Sequence, residues 1–270
     1  MVLIGIGNAG NKLINTFGDQ HKKISIVADD FPKKCRKTED YEEFCPNFTK
    51  KLKFSGDECW VALCGAGKVA GCTLKVLESI KNKKINILYI CPDPTMVTPI
   101  QAKRHKVVFN VLQEFTRSGL LNNIYLFSNK QIIKIIGEQS IANMYNMINI
   151  QIANAIENVE WFKAQEPVLG SAHTPKEISR ICTVSVGDNK KNQEKLLFPI
   201  DNITESSYLY IVSKTELEKN KNLLKTIKNK ITQDEKNNIT SSFAIYSSEH
   251  KETFFYSVKL SHVIQNLEII

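Results

Sequence analysis

The first twelve residues, Met1-Val-Leu-Ile-Gly-Ile-Gly-Asn-Ala-Gly-Asn-Lys12, decide the fold prediction. An apolar run enters a turn that contains Gly5, Gly7 and Gly10, and a helix is predicted to follow at once. Glycine allows positive φ and a close approach of the backbone to a ligand, and the free N–H groups of a helix start attract phosphate. A turn that needs small residues only for packing has the same pattern, so this stretch alone leaves both interpretations open.

A second glycine-rich turn follows the third predicted strand, Cys59–Cys64. That apolar run leads into Gly65-Ala-Gly-Lys-Val-Ala-Gly71 and then into a predicted helix at Cys72–Asn82. The second predicted strand, Lys23–Val27, instead ends at the acidic pair Asp29–Asp30. A carboxylate at that position suits a ribose in a dinucleotide fold, and it suits a loop cap equally well. The second glycine turn favours a nucleotide site over simple packing.

Strands and helices alternate through the first 163 residues. Further strands are predicted at Ile85–Cys91 and Asn123–Phe127, with a helix between them that reaches Phe115. We predict no strong element for residues 30–58. Apolar side chains then recur at spacings of three and four from Ile141 to Phe162, which predicts one long helix. This alternation predicts an α/β fold with a doubly wound, mostly parallel sheet.

The order of predicted strands and helices changes after the long helix. The elements predicted there are strands at Ser179–Val186 and Ser207–Val212, a helix at Thr215–Ile231, and a strand pair formed by Ser241–Tyr246 and Thr253–Leu260. Polar and apolar residues alternate in the last strand, so one of its faces is expected to be covered. We therefore expect a nucleotide-binding domain with the central helix at 1–163, a connector at 164–178 and a smaller α+β domain at 179–270.

Composition narrows the class of protein. The chain has 270 residues, is 42% hydrophobic and carries a net charge of +8 without an arginine-rich block. This charge favours a solvated lysine surface, and nothing beyond it indicates nucleic acid. The seven cysteines form no C-x-x-C pair, which favours reduced thiols and a cytoplasmic location. Neither a signal peptide nor a run long enough to span a membrane is expected.

The motifs and the order of elements resemble the tubulin/FtsZ superfamily of cytoskeletal GTPases. The first glycine turn is similar to the first nucleotide loop of that family. Gly65, Gly67 and Gly71 match its GGGTGTG signature in register, whereas Lys68-Val-Ala70 replaces Thr-Gly-Thr. The resemblance implies nucleotide contacts at Gly5, Gly7, Asn8, Gly10, Asn11, Gly65, Ala66, Gly67, Lys68, Gly71, Asn129, Tyr145 and Asn149.

Three of these residues are implied to contact the ribose and the base. Asn129 follows the fifth strand, where a family asparagine contacts ribose and base. Tyr145 and Asn149 stand four residues apart near the start of the long helix, so they share one helix face. In the family such a pair stacks on guanine and hydrogen-bonds to its edge, which suits an aromatic ring and an amide. Packing within the apolar stripe is the alternative role for Tyr145.

Several departures from the family argue against efficient hydrolysis. The interval Phe31–Glu58 contains no further glycine phosphate loop, and Gln101 and Lys103 stand where the family often has Glu and Arg. The family's acidic loop, of pattern NxDxxD/E, has no counterpart in Leu169–Ile178. The only carboxylate in Leu169–Ile178 is Glu177, which is a weak catalytic candidate. His173 is a poor substitute for the acidic residues of the family. Without an acidic group to orient water, GTP hydrolysis is expected to be weak or absent.

Three functions are consistent with these observations. The first is a protein that binds GTP or GDP, with or without Mg²⁺, and assembles head to tail with itself or a related tubulin-like subunit. Its small size suggests a phage or plasmid gene, and then the cytoplasm of the host. The second is a pseudo-GTPase that has lost hydrolysis, and even binding, and acts as a structural or interaction protein such as a virion component. The third, a dinucleotide oxidoreductase, leaves the second glycine loop unexplained.

Overall fold

The computed structural model describes residues 1–137, 139–172, 176, 178–188, 193–249 and 253–267. Within them the chain forms eleven β-strands and eight α-helices. The strands are β1 (Val2–Ile6), β2 (Lys22–Ile26), β3 (Glu58–Leu63), β4 (Lys84–Cys91), β5 (Asn123–Ser128), β6 (Leu169–Ser171), β7 (Ile181–Asp188), β8 (Gln193–Leu196), β9 (Glu205–Ser213), β10 (Thr240–Ser248) and β11 (Phe254–Ser261). The helices are α1 (Gly7–Thr16), α2 (Thr38–Glu43), α3 (Thr73–Glu78), α4 (Pro99–Arg117), α5 (Asn129–Ile136), α6 (Ile141–Lys163), α7 (Lys214–Lys219) and α8 (Leu223–Lys236).

All eleven strands belong to one sheet. Its order is β2-β1-β3-β4-β5-β7-β11-β9-β10-β6, and β8 pairs with β7 beside this path. The first five strands are parallel, and β7 continues them by pairing in parallel with β5. Antiparallel pairing begins at β11, which lies between β7 and β9. The predicted α/β fold with a mostly parallel sheet is therefore confirmed. The division at residues 163 and 178 stays a prediction, because the sheet runs through both parts.

Helices cover both faces of the parallel half. Leu13 and Ile14 of α1 share a core cluster with Ile152 and Ile156 of α6 on one face. The opposite face carries α3 and α4, which bury residues such as Phe109 against the sheet. Strands covered on both faces are apolar without interruption, which is why β1, β3 and β4 were recognisable in the sequence. The long helix predicted from Ile141 is confirmed as α6.

Residues 30–58 contain an element that was not predicted. The short helix α2 has only one buried side chain, Tyr41, whose ring lies 4.9 Å from that of Phe31. A helix of six residues with one apolar anchor has no measurable periodicity. The predicted helix at Cys72–Asn82 is also shorter than expected, because α3 ends at Glu78 and turns follow it, such as those closed by the hydrogen bonds from the Ile80 amide to Leu77 and from the Lys81 amide to Glu78.

Three predictions for the second half are wrong. The strands predicted as a pair, β10 and β11, do not pair with each other, because β9 lies between them. Both faces of β11 are buried, including Ser257 and Lys259 on the face expected to be open. The predicted helix at Thr215–Ile231 is divided into α7 and α8. In the described part of the chain, no helix is long and apolar enough to cross a membrane.

Candidate functional site

The strand order β2-β1-β3-β4-β5 reverses between β1 and β3. In doubly wound sheets the crevice at such a reversal, beside the carboxyl ends of the strands, is the usual ligand site. Both glycine loops begin there, because Ile6 and Leu63 are register partners at the ends of β1 and β3. A Cβ atom built on Gly7 would lie only 3.6 Å from the Cβ atom of Val69, so the two loops are in contact.

The glycines of the first loop have two different roles. A side chain on Gly10 would overlap the carbonyl oxygen of Ala62, so this glycine lets α1 pack against β3. A Cβ atom on Gly5 would lie 2.6 Å from Oδ1 of Asn11, which again is a packing constraint. Gly7 differs, because its φ of +69° favours glycine, and a Cβ atom built on it would meet Val69 at an ordinary contact distance rather than overlap it. Gly7 is therefore the glycine of this loop that leaves room for a ligand.

The second loop divides in the same way. A side chain on Gly65 would overlap the hydroxyl of Tyr89, and one on Gly71 would overlap the backbone carbonyl of Thr38. Gly67 is exposed, and the nearest atom to a Cβ built on it is 3.8 Å away. Next to it, Ala66 is buried and Lys68 is exposed. Gly67 and Lys68 are thus the positions of this loop that are open to a ligand.

These distances predict opposite results for two alanine variants. Gly10→Ala should lower the free energy of unfolding by about 1–3 kcal/mol, because the new methyl group overlaps backbone that is unable to move freely. Gly67→Ala should change it by less than about 0.5 kcal/mol, because the φ of −76° there suits alanine and the methyl group has space. Urea unfolding followed by circular dichroism measures both values. Equal stabilities of the two variants would contradict the assignment of Gly10 to packing.

Helix α1 presents an uncapped start beside the loops. Among the described residues no side chain caps its first turn, where the exposed Asn8 stands. Asn11 is 7% exposed, and its Nδ2 donates to the carbonyls of Gly7 (2.8 Å) and Ile26 (3.1 Å). Asn11 thereby ties the loop to the end of β2. The free N–H groups and the positive end of the helix dipole form a site suited to an anion.

Helix α6 runs in the same direction as α1. Near its C-terminal end, Glu157 Oε1 accepts a hydrogen bond from the Gly18 amide (3.0 Å) and lies 2.8 Å from His21 Nε2. His21 Nδ1 in turn lies 3.1 Å from the terminal amine of Met1, at the amino end of β1. The second half of α6 therefore lies at the amino edge of the sheet, and its first turns lie at the carboxyl edge with the glycine loops.

Tyr145 and Asn149 occupy those first turns. The Tyr145 ring is 47% exposed, so it does not pack within the apolar stripe, whose buried part begins at Ile148. Asn149 is 9% exposed on the same helix face. Asn129 is 7% exposed at the first position of α5, and its buried Oδ1 has no hydrogen-bond partner in the described part of the chain. An unpaired buried acceptor costs about 1–3 kcal/mol, which a donor such as a ribose hydroxyl would remove.

The fold can be compared with known proteins. No protein-family model matches the sequence, and no curated protein matches it. A GTPγS-form protofilament of TubZ from Bacillus thuringiensis serovar israelensis matches with a TM-score of 0.73 and 16% identity, over 96% of this chain and 86% of that one. A GDP-bound CetZ1 monomer from Haloferax volcanii matches with a TM-score of 0.72 and 16% identity, over 99% and 96%. An empty FtsZ dimer from M. jannaschii gives 0.69 and 13%, over 96% and 87%. The chain has the tubulin/FtsZ fold.

Within this tubulin/FtsZ fold, Asp30 and Gln101 both take part in local structure. Asp30 accepts a hydrogen bond from the Val27 amide (2.9 Å) and pairs with Lys51, so it acts as a loop cap. Gln101 accepts from the Thr98 amide (2.9 Å) and caps α4. All seven cysteines are free. Burial raises the pKa of the Cys64 thiol beside the second loop to about 11, which keeps it protonated.

The residues around the crevice fit a nucleotide. The uncapped start of α1, the space at Gly7 and Gly67, the unpaired Asn129 oxygen and the half-exposed Tyr145 ring supply the required chemistry. In the described ranges no group of three His, Cys, Asp or Glu side chains is placed to hold a metal ion. Magnesium in nucleotide sites is bound through one or two carboxylates together with the phosphates, so a cluster of three protein ligands is not required. Glu177 and His173 lie outside the described residues.

Proposed function

We propose that the protein binds guanine nucleotide and assembles head to tail into filaments, with weak or absent GTP hydrolysis. The contact of the two glycine loops at the reversal point of the strand order carries this proposal. Gly7, Asn8 and the start of α1 would hold phosphates, and Gly67 and Lys68 would close the other side. Asn129 would contact the ribose, and Tyr145 with Asn149 would hold the base. The phosphates of a nucleotide bound there would take part in the contact between two successive subunits.

Self-assembly is supported by the fold comparisons. The TubZ match is a protofilament in its GTPγS form, and the FtsZ match is a dimer. Head-to-tail contacts use two different surfaces, so they leave each end free to bind the next subunit and produce an open polymer. We infer the same assembly for this chain, with itself or with a related tubulin-like subunit. Its free cysteines suit a cytoplasmic filament, in the host cytoplasm if the gene belongs to a phage.

Weak hydrolysis is inferred from the sequence that follows α6. Between residues 169 and 178 the only carboxylate is Glu177, and it stands next to Lys176. The resemblance to the tubulin/FtsZ family implies that an acidic group from the neighbouring subunit orients the attacking water. The chain is therefore proposed to retain a nucleotide rather than to turn it over rapidly.

A pseudo-GTPase that acts as a structural or interaction protein is the second candidate. One observation favours it: four glycines of the two loops, Gly5, Gly10, Gly65 and Gly71, are required by packing. These four glycines would therefore be retained even in a chain that no longer bound a nucleotide. Of the loop glycines, Gly7 and Gly67 are then the ones that still argue for nucleotide binding.

Sedimentation separates the two candidates. Purified protein with GTPγS should pellet as polymer in a concentration-dependent manner, and the same protein without nucleotide should remain in the supernatant. Phosphate release from GTP should stay near the background rate. A chain that neither binds nucleotide nor pellets at any concentration would refute the first candidate. Rapid phosphate release that Glu177→Ala abolishes would instead refute the inference of weak hydrolysis.

A further inference from the structure

A basic segment of the chain lies beside the second glycine loop. Residues 33–37, Lys-Lys-Cys-Arg-Lys, place four cations immediately before α2. The first residue of α2, Thr38, directs its backbone carbonyl at Gly71, and α2 packs along the 3₁₀ turn at Lys68–Cys72. The basic segment therefore borders the second glycine loop, whose Val69 lies next to Gly7 of the first loop.

The backbone of this segment is fixed while its cations remain exposed. The carboxylate of Asp40 accepts hydrogen bonds from the amides of Arg36 (2.6 Å) and Lys37 (2.8 Å). The amides of Lys37 and Arg36 also hold the pKa of Asp40 below its usual value. Cys35 anchors the middle of the segment by packing in the core. The side chains of Arg36 and Lys37 are exposed.

Of the described residues, Asp40 interacts electrostatically with Lys37 and Lys34 but forms no ion pair within 4.0 Å with either. Lys34 lies over the ring of Phe44, with its Nζ 3.3 Å from the centroid. Among the described residues, no ion pair within 4.0 Å involves Lys33, Arg36 or Lys37. Phosphate oxygens are strong partners for such groups, and guanidinium binds them in a bidentate manner. The sequence offers no other phosphate-binding motif between Phe31 and Glu58.

We propose that Arg36 and Lys37 bind the terminal phosphates of a nucleoside triphosphate held between the two glycine loops. They supply the contacts that a further glycine phosphate loop would otherwise make, and they favour the triphosphate over the diphosphate because its extra phosphate adds charge. This inference rests on the proposed function, since it needs a nucleotide in that crevice.

Calorimetric titration with GTPγS, GDP and guanosine tests the proposal. The double variant Arg36→Ala/Lys37→Ala should bind GTPγS about tenfold more weakly or worse, lose less affinity for GDP, and bind guanosine as the wild type does. The matched control is Lys225→Ala/Lys228→Ala, which removes two exposed cations from α8, a helix that packs on β10. This control should bind all three ligands with unchanged affinity.

Each result supports or overturns the inference. A wild type that binds GTPγS, together with an Arg36→Ala/Lys37→Ala variant that binds it equally well, overturns this inference and leaves the proposed function intact. An equal loss in the α8 control overturns it too, because net charge alone would explain the effect. If the wild type binds neither GTPγS nor GDP, the proposed function itself fails. Arg36→Gln/Lys37→Gln and thermal unfolding of each variant exclude a folding defect.

Discussion

Replacement of Glu194 by glutamine should lower the free energy of unfolding by about 3 kcal/mol. Lys259 is 5% exposed within β11, and its Nζ lies 3.2 Å from Oε1 of Glu194. The same carboxylate pairs with Lys230 of α8 at 2.9 Å and accepts hydrogen bonds from Ser185 and Ser257, both at 2.7 Å. Glutamine would deprive a buried ammonium of its nearest counter-charge and leave only the more distant Asp234, which costs more than the loss of a surface ion pair.

The pH dependence of stability should follow from the same group. Burial raises the pKa of Glu194, but Lys259 and Lys230 outweigh this effect and bring the pKa from 4.5 to about 2. A carboxyl whose folded pKa is depressed stabilises the fold above its unfolded pKa. Its contribution is therefore complete above pH 4.5, falls as the pH drops below that value, and is lost near pH 2. Urea unfolding of the wild type and of Glu194→Gln should converge across this range.

Two controls make the result specific. Glu218→Gln removes an exposed carboxylate from α7 and should change stability by less than about 0.5 kcal/mol. The double variant Glu194→Gln/Lys259→Met removes both partners of the buried pair and should recover part of the loss. If Glu194→Gln were as stable as Glu218→Gln at pH 7, the pair would contribute nothing to the fold.

This buried pair shows what the sequence was unable to reveal. In β11 the alternation of apolar side chains with Ser257 and Lys259 indicated one face open to water. That face is covered by α8 and by β8, a strand of four residues that supplies Glu194. A lysine is normally a surface residue, and its buried partner stands 65 positions earlier, so no local pattern links them.

The parallel half was predictable because its signals are local. Buried strands such as β3 and β4 are continuous apolar runs, and glycine or proline follows each one. The glycine loops were also recognisable, but the roles of individual glycines were not. Whether Gly10 or Gly67 serves packing depends on the distance to another strand or to open space, and only the assembled sheet sets that distance.

Removal of the Tyr145 ring should weaken GTPγS binding about 5- to 150-fold, because stacking of an aromatic side chain on a base contributes about 1–3 kcal/mol. Trp161 provides a matched control on the same helix. It is 57% exposed where Tyr145 is 47% exposed, but it lies at the amino edge of the sheet, away from the glycine loops. Trp161→Ala should therefore leave the dissociation constant unchanged, and calorimetry measures both variants without relying on tryptophan fluorescence.

Asn149→Ala tests the recognition of the base edge independently of stacking. An amide supplies a donor and an acceptor together, so its loss should reduce the preference for GTPγS over ATPγS by about tenfold while Tyr145 still stacks on either base. Tyr145→Ala should weaken both nucleotides alike, because every base has a face on which to stack. The two variants thus separate affinity from specificity. Unchanged GTPγS binding in Tyr145→Ala, or an equal loss of affinity in Trp161→Ala, would contradict the proposal that the base binds at α6. Only the proposed phosphate contacts of the crevice would then remain.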